Sequence, residues 1–469
     1  MQYKLILIAA AAAAFAAQSA SAWTYTAGSP ATITDGDWTL NVTLSGNNVT
    51  LTAFSVAGSV AGFNGDLDLS VPIGDGTMRI TSIPNNAFSA MPAYMGNPEL
   101  ITSVKFPETL TSIGQDAFFT NKALKAVSFP TSLTSIGNAA FRYSGLEKVV
   151  LPPNVKTTTD STFRDNKSLG EVVLHENFTQ FGAHSFRGCT SLTNITPFLP
   201  SSLINTGNNT FDASSALTGH LVLSNPNLTT VATSAFYGTA ITSLDMSESG
   251  IKIIGDSAFR YCASLESVVF PKKLEQVYGH AFNNNPLLKN FTPFMPNTLT
   301  NIGNYAFANC KSEDALVLGS QDRIRIDRSA FISSSITSIE FGEGIWNLNA
   351  TELFSSSLSV TQVVFRGDVP IFGSDAFHSW DSMQAIVYAP RGNESWEDFV
   401  AKGGTPPSAN WHPYSSFSPA EITAFETRHP GAKKPDGKIK LPRSQNAETY
   451  QAFKWFKVPG PPETVIIVR

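Results

Sequence analysis

Three cysteines in 469 residues are too few for a disulfide framework, and an odd number leaves at least one thiol unpaired. Seven histidines, at positions 175, 184, 220, 280, 378, 412 and 429, show no H-E-x-x-H spacing, and C-x-x-C is also missing, so a zinc centre has no ligand pattern. There is no Walker loop and no G-x-S-x-G elbow, which removes two common nucleotide and hydrolase signatures. Asp66, Asp68 and Asp75 fall short of the ligand number that a calcium loop requires. Charged residues make up only 15% of the chain and sum to a net charge of -5, without the basic footprint of a nucleic-acid binder. Apolar runs are all short, which argues against a multispanning membrane protein. The expectation is therefore a chain with no catalytic centre, cofactor, metal or nucleic-acid partner, and with no transmembrane segment after maturation.

What is present is organised from the first residues. Met1-Gln-Tyr-Lys4 precedes an apolar stretch from Leu5 to Ala17 and small residues at Ala20 and Ala22. One positive charge, a short apolar segment and small residues predict a secretory signal peptide over 1–22, cleaved before Trp23. Residues 23–79 shift to Thr, Gly, Val and Asn, and alternating segments such as Trp38-Thr-Leu40-Asn-Val42-Thr-Leu44 predict β-hairpins.

From there a phenylalanine recurs at 88, 118, 141, 163, 186, 211, 236, 259, 282, 307, 331, 354 and 377. After the opening gap of 30 the intervals are 22 to 25 residues, within the roughly 20–29 residue period of leucine-rich repeats. Leu133-Thr-Ser-Ile136-Gly137-Asn-Ala-Ala140-Phe141 reappears almost unchanged as Ile251-Lys-Ile-Ile254-Gly255-Asp-Ser-Ala258-Phe259. Each period holds a short strand, such as Leu124-Lys-Ala-Val127-Ser-Phe129, whose apolar face is buried only when coils stack about 4.8 Å apart. The Ile-Gly steps at 113–114, 136–137, 254–255 and 302–303 predict a turn with φ above zero. Pro107, Pro130, Pro152 and Pro271 end the strands by withholding a donor.

Three residues after each anchoring Phe from Phe118 to Phe354 stands Asn121, Ser144, Asn166, Cys189, Ser214, Thr239, Cys262, Asn285, Cys310, Ser334 or Ser357. All three cysteines fall on this one position, so they are expected as ladder residues that bond the adjacent coil rather than as metal or redox groups. Where Ala before Phe is lost, at Asp160-Phe163, Ala183-Phe186 and Glu352-Phe354, the coils are expected to pack less regularly.

Leu110-Thr-Ser-Ile113-Gly-Gln-Asp-Ala117-Phe118-Phe-Thr-Asn121-Lys-Ala-Leu124-Lys-Ala-Val127-Ser-Phe129-Pro130 resembles the BspA-like leucine-rich repeat family, with its phrase L-x-x-I-x-x-x-A-F-x-x-C/N-x-x-L-x-x-I-x-L-P. The fold expected is a β-rich solenoid, a leucine-rich repeat array over 80–400 between an N-terminal β cap at 23–79 and a C-terminal cap. Ala385 to Pro390 reads as the last strand, and Glu394-Ser-Trp396-Glu-Asp-Phe399-Val400 as a short closing helix. Residues 401–469 read as an irregular tail, partly disordered, with a helix start at Ser418-Pro419-Ala-Glu421 and a turn-rich linker over 430–437. From Lys402 onward 10 Lys+Arg stand against 5 Asp+Glu, or +5, leaving 22 against 32, or -10, for the rest.

Buried repeat positions say little about ligands, so binding residues are sought on the outward strand positions. These include Lys125, Ser128, Thr193, Asn194, Thr242, Asp245, Lys289 and Asn290, a weakly charged surface without the aromatic platform a sugar would stack on. Arg366-Gly367-Asp368 spells an integrin-recognition tripeptide after the strand Val363-Val-Phe365. The family resemblance implies adhesion or binding of a host surface or matrix protein by a secreted or cell-surface monomer. Two rival functions are an envelope-associated spacer held by the basic tail, and a secreted accessory subunit of an enzyme system.

Overall fold

The computed structural model describes residues 65–89, 101–196 and 199–289 without a break, together with shorter stretches between 24 and 56 and between 296 and 468. Within them the chain winds as a β-solenoid whose coils contribute up to two short strands each, and the strands stack into two parallel ladders. The first ladder pairs Asp66–Asp68 with Ser103–Lys105 and Ala126–Ser128. It continues through Lys148–Val150, Glu171–Val173 and Asn194–Thr196, then Thr218–Val222, Ala240–Asp245 and Ser267–Val269. Farther on, Ala315–Leu318, Ser338–Phe341, Gln362–Phe365 and Ile386–Pro390 extend it. The second ladder runs from Arg79–Ile83 through Ser112–Ile113 to Ser135–Ile136, and from Thr230–Val231 through Ile253–Ile254, Gln276–Val277 and Asn301–Ile302 to Arg325–Ile326.

An open stack leaves unpaired backbone at both ends, and flanking segments cover it. At the start Ala31–Asp35, Trp38–Ser45 and Asn48–Val56 form an antiparallel meander, as the alternation of residues 38–44 predicts. Its last strand pairs in parallel with Arg79–Ile83 and so hands the meander over to the second ladder. At the other end Glu463–Val468 runs antiparallel along Ile386–Pro390 and is itself paired with Trp455–Val458. The expected signal peptide, the closing helix over 394–400, the helix start at Ser418 and the linker over 430–437 lie outside the described residues.

An aromatic stack runs through the aliphatic core. Rings from Phe88 to Phe118 lie 5.1 Å apart and from Phe118 to Phe141 5.0 Å, and the series continues without interruption to Phe331 and Phe354 at 5.5 Å. Backbone rungs keep this spacing, since each anchoring Phe donates its N–H to the next coil, as Phe259 does to Ala281 at 2.8 Å. Burial of these side chains is close to complete.

The residue three after Phe behaves as its position in the repeat predicts. Ser144 Oγ donates to the carbonyl of Phe118 at 2.9 Å, Asn166 Nδ2 to Phe141 at 2.6 Å and Asn285 Nδ2 to Phe259 at 3.0 Å. Cys189, Cys262 and Cys310 do the same with Sγ, at 3.3 Å to Phe163, 3.1 Å to Phe236 and 3.2 Å to Phe282. The side chain type varies because the site asks only for a small donor that reaches one coil back.

Two expectations are corrected. Gly114, Gly137, Gly255 and Gly303 do not take positive φ; the left-handed residues stand instead two before and two after each anchoring Phe. Ala139 (φ 50°) and Tyr143 (φ 58°) flank Phe141, while Ser257 (φ 55°) and Tyr261 (φ 60°) flank Phe259. The glycines are needed for close approach: a Cβ on Gly137 would lie 2.5 Å from Gln115 N and 2.6 Å from Gly114 C. Gly137→Ala is therefore expected to push two coils apart and cost about 1–3 kcal/mol, measured by denaturant unfolding. An unchanged midpoint would show that the coils slide without penalty.

Loss of Ala before Phe also does not loosen the coils. Thr162 and Ser185 are fully buried there, and ring spacings of 5.6 Å and 5.3 Å persist from Phe141 to Phe163 and on to Phe186. Their hydroxyls are satisfied inside the turn, Thr162 Oγ1 on Thr159 O at 3.0 Å and Ser185 Oγ on Gly182 O at 2.6 Å, so burial of the polar group carries little penalty.

Candidate functional site

A nucleophile or metal site is a natural first question for buried thiols. Desolvation pushes all three thiols up, Cys262 to about 11 and Cys310 to about 12, with Cys189 higher still. A thiol held protonated is a poor nucleophile and a poor ligand. Among the described residues, no group of three or more His, Cys, Asp or Glu side chains could hold a metal ion, and no helix is long and apolar enough to cross a membrane.

The outward face of the first ladder holds most of the binding residues expected from the sequence. Ser128, Asn194, Thr242 and Asp245 lie on its strands, and Lys125 and Thr193, immediately before two of them, share a column with Thr242 and Lys289. That column is knit by the backbone: Lys125 N donates to Thr102 O at 2.8 Å, Thr193 N to Gly170 O at 3.1 Å and Lys289 N to Glu266 O at 3.0 Å. Charges on this face meet charges from the next coil, Lys125 with Glu147 at 3.5 Å, Lys148 with Glu171 at 2.9 Å and Lys105 with Asp68 at 3.4 Å. Exposed pairs of this kind add little stability, but they leave the face nearly neutral. Asp245 accepts Ser247 N at 2.9 Å and is absorbed in a local turn.

Valines emerge on the same face that the sequence reading passed over. Val150 stands beside Val173, and Val222, Asp245 and Val269 are in register on the coils above. Val150 is 44% and Val269 45% exposed. Their alternation with buried neighbours was visible in Val149-Val150 and Val268-Val269, but which of each pair faced water depended on coil register. Asn290, Arg366 and Gly367 lie outside the described residues; Asp368 is exposed, following the strand Gln362–Phe365 as expected.

A groove of about 460 Å³ lies on the second ladder, where no binding residue was sought. Tyr278 forms one wall from a column that holds Gly114, Gly137, Gly255 and Gly303 and, in other coils, Ala232 and Asp327, and its N–H donates to Ile254 O as Gly303 N does to Val277 O. The glycines on either side in the column, Gly255 and Gly303, contribute no side chain, and Tyr278 is 43% exposed. Ile204, 48% exposed, forms the other wall, and Thr229, Thr230 and Thr233 line the groove between them.

The hydroxyls in this groove differ from their equivalents elsewhere. In the column containing Thr229, Thr111, Thr134, Thr179 and Thr300 donate Oγ1 to a carbonyl one coil back, at 3.0, 2.9, 3.2 and 3.0 Å. Among the described residues, the side chains of Thr229, Thr230, Thr233 and Asn208 make no such bond. A Tyr at a position often held by glycine was the available sequence signal.

Over residues 81–218, 196–313 and 292–397 the chain matches, in six copies, the model of a family described as BspA type leucine rich repeat region. No curated protein matches the chain. Similar solved structures include a leucine-rich repeat protein from Bacteroides ovatus, at 20% identity over 71% of this chain and 94% of that one, with a TM-score of 0.44. The pneumococcal vaccine antigen PcpA is similar at 17% identity, 81% and 98% coverage and a TM-score of 0.45. A leucine rich cell surface protein from Faecalibacterium prausnitzii follows at 20% identity, 76% and 89% coverage and a TM-score of 0.39.

Proposed function

We propose, on the premise that the chain belongs to the BspA type leucine-rich repeat family, that it is a non-enzymatic binding scaffold working outside the cell, exported by the signal peptide over 1–22 and contacting a matrix or host surface protein. The supporting observation is the first-ladder face, where Val150, Val173, Val222 and Val269 look outward among paired charges. Parallel sheets ordinarily have both faces covered, so outward β-branched apolar side chains on a neutral strand face suit a protein partner laid across several coils. Lys125, Ser128, Thr193, Asn194, Thr242, Asp245 and Lys289 would form the polar margin of that contact, and Asn290 and Arg366-Gly367-Asp368 would extend it.

The full chain should bind one or more proteins on an array of matrix and host surface proteins. Val150→Glu combined with Val269→Glu is expected to weaken that binding at least about tenfold, since each buried carboxylate would lack a partner. Thermal unfolding should be unchanged, because both side chains are exposed. Undiminished binding by the double variant would remove this face from the contact.

A further inference from the structure

The geometry points to a second binding site, for a neutral saccharide, in the groove between Ile204 and Tyr278 on the second ladder. It stands apart from the protein contact proposed above, because its residues belong to the other strand of each coil.

Four features define the ligand. The lining contains no Asp, Glu, Lys, Arg or His, so an ionic ligand finds no counter-charge there. Of the charges beside it, Lys252 and Glu275 hold each other at 2.8 Å, and Asp256, next to Gly255, accepts Ser257 Oγ at 2.8 Å. The side chains of Thr229, Thr230, Thr233 and Asn208 both donate and accept hydrogen bonds, which matches the alternating needs of sugar hydroxyls. An exposed Tyr278 with glycine on either side in its column offers an apolar ring face for the C–H surface of a pyranose. The groove of about 460 Å³ falls within the ordinary range of small-ligand sites, roughly 300–1,000 Å³.

A peptide side chain is the less suitable occupant. An apolar anchor would cover three threonine hydroxyls without replacing their water, at a cost for each group left unbonded. A sugar replaces that water with its own hydroxyls. The contrast with Thr111, Thr134, Thr179 and Thr300 carries the point, because the fold satisfies those hydroxyls internally and leaves the ones in the groove available.

The test is isothermal titration of the full chain with cellotetraose, mannotetraose and chitotetraose, with a heparin-derived tetrasaccharide as the anionic control. At least one neutral probe should bind with a Kd of about 10 μM to 1 mM. Tyr278→Ala should weaken it at least about tenfold, Tyr278→Phe should leave it within about twofold, and Thr230→Val should weaken it by an intermediate factor. Melting curves of the variants should overlay the wild type. Binding of the anionic probe alone, no binding of any neutral probe, or equal binding by a folded Tyr278→Ala variant overturns the assignment. So does loss of array binding to a protein in Tyr278→Ala while no saccharide binds, which would make the groove part of the protein contact. Saccharide binding that survives Val150→Glu with Val269→Glu keeps this site even if the protein contact proves wrong.

Discussion

Phe259→Ala is expected to destabilise the array by about 3–5 kcal/mol, the range for truncating a large aromatic in a rigid core. Phe259 has no exposed surface and lies 5.3 Å from Phe236 on one side and 5.3 Å from Phe282 on the other, with the rings nearly parallel. Collapse into the cavity is blocked because the rungs Phe236 N to Ala258 O at 2.9 Å and Phe259 N to Ala281 O at 2.8 Å fix the separation of the coils. In a quasi-one-dimensional fold each coil touches only its neighbours, so a defect in the middle weakens two interfaces at once. The single unfolding transition should split or broaden in guanidinium titrations followed by circular dichroism. Tyr261, two residues on and 42% exposed, is the control, and its truncation should cost less than about 1 kcal/mol. A Phe259→Ala protein within 1 kcal/mol of the wild type would mean that the stack is not what holds the coils together.

Alkaline pH supplies the second large effect. In the unfolded chain a cysteine ionises near 9, whereas burial raises Cys262 to about 11 and Cys310 to about 12 in the fold, and Cys189 further. Above pH 9 the unfolded state therefore releases protons that the folded state retains, and each further pH unit favours unfolding by on the order of 1 kcal/mol per thiol. The stabilisation is complete below pH 9 and is lost progressively as pH climbs towards 11 for Cys262 and 12 for Cys310. A triple Cys→Ser variant keeps the bond to the preceding Phe carbonyl, as Ser144 and Ser214 do at 2.9 and 2.8 Å. Its stability should lack this alkaline fall, while the other titrating groups are common to both proteins. Parallel stability curves for the two proteins between pH 8 and 11 would show that thiol burial is irrelevant to the response.

Sequence periodicity made the architecture legible because burial repeats with the coil. Phe88 to Phe354 stack where the spacing put them, and the three cysteines donate to the carbonyls where their shared position put them. Reasons for individual residues were less legible. Gly137 read as a conformational requirement and is a steric one, because its neighbour in space is Gln115, 22 residues earlier in the chain, and proximity of that kind is fixed only by the height of a coil. Thr162 and Ser185 read as defects, but their hydroxyls find acceptors within their own turn.

Ligand-facing surfaces were the least legible, since exposure on a solenoid depends on small differences between almost identical coils. Lys125, Thr193 and Asn194 are polar and lie exposed, whereas Val150 and Val269 were hidden among the apolar letters that otherwise mark the core. Tyr278 illustrates the same limit, because it follows the buried Val277 at a position often held by glycine and only the fold shows what its exposed side chain faces.

The amino-acid sequence by itself determined the coil length, the aromatic axis and the family, because one buried side chain per turn must recur for neighbouring turns to share a core. Only the tertiary structure decided which hydroxyls remain free for a ligand and which are bonded within the fold. Thr229 and Thr300 are the same residue in the same column, yet Thr300 Oγ1 donates to Glu275 O, whereas among the described residues the Thr229 hydroxyl makes no such bond and only its backbone carbonyl accepts, from Lys252 N. That distinction is made by the orientation of a side chain against the coil one turn back, a contact between residues more than twenty positions apart that no local spacing encodes.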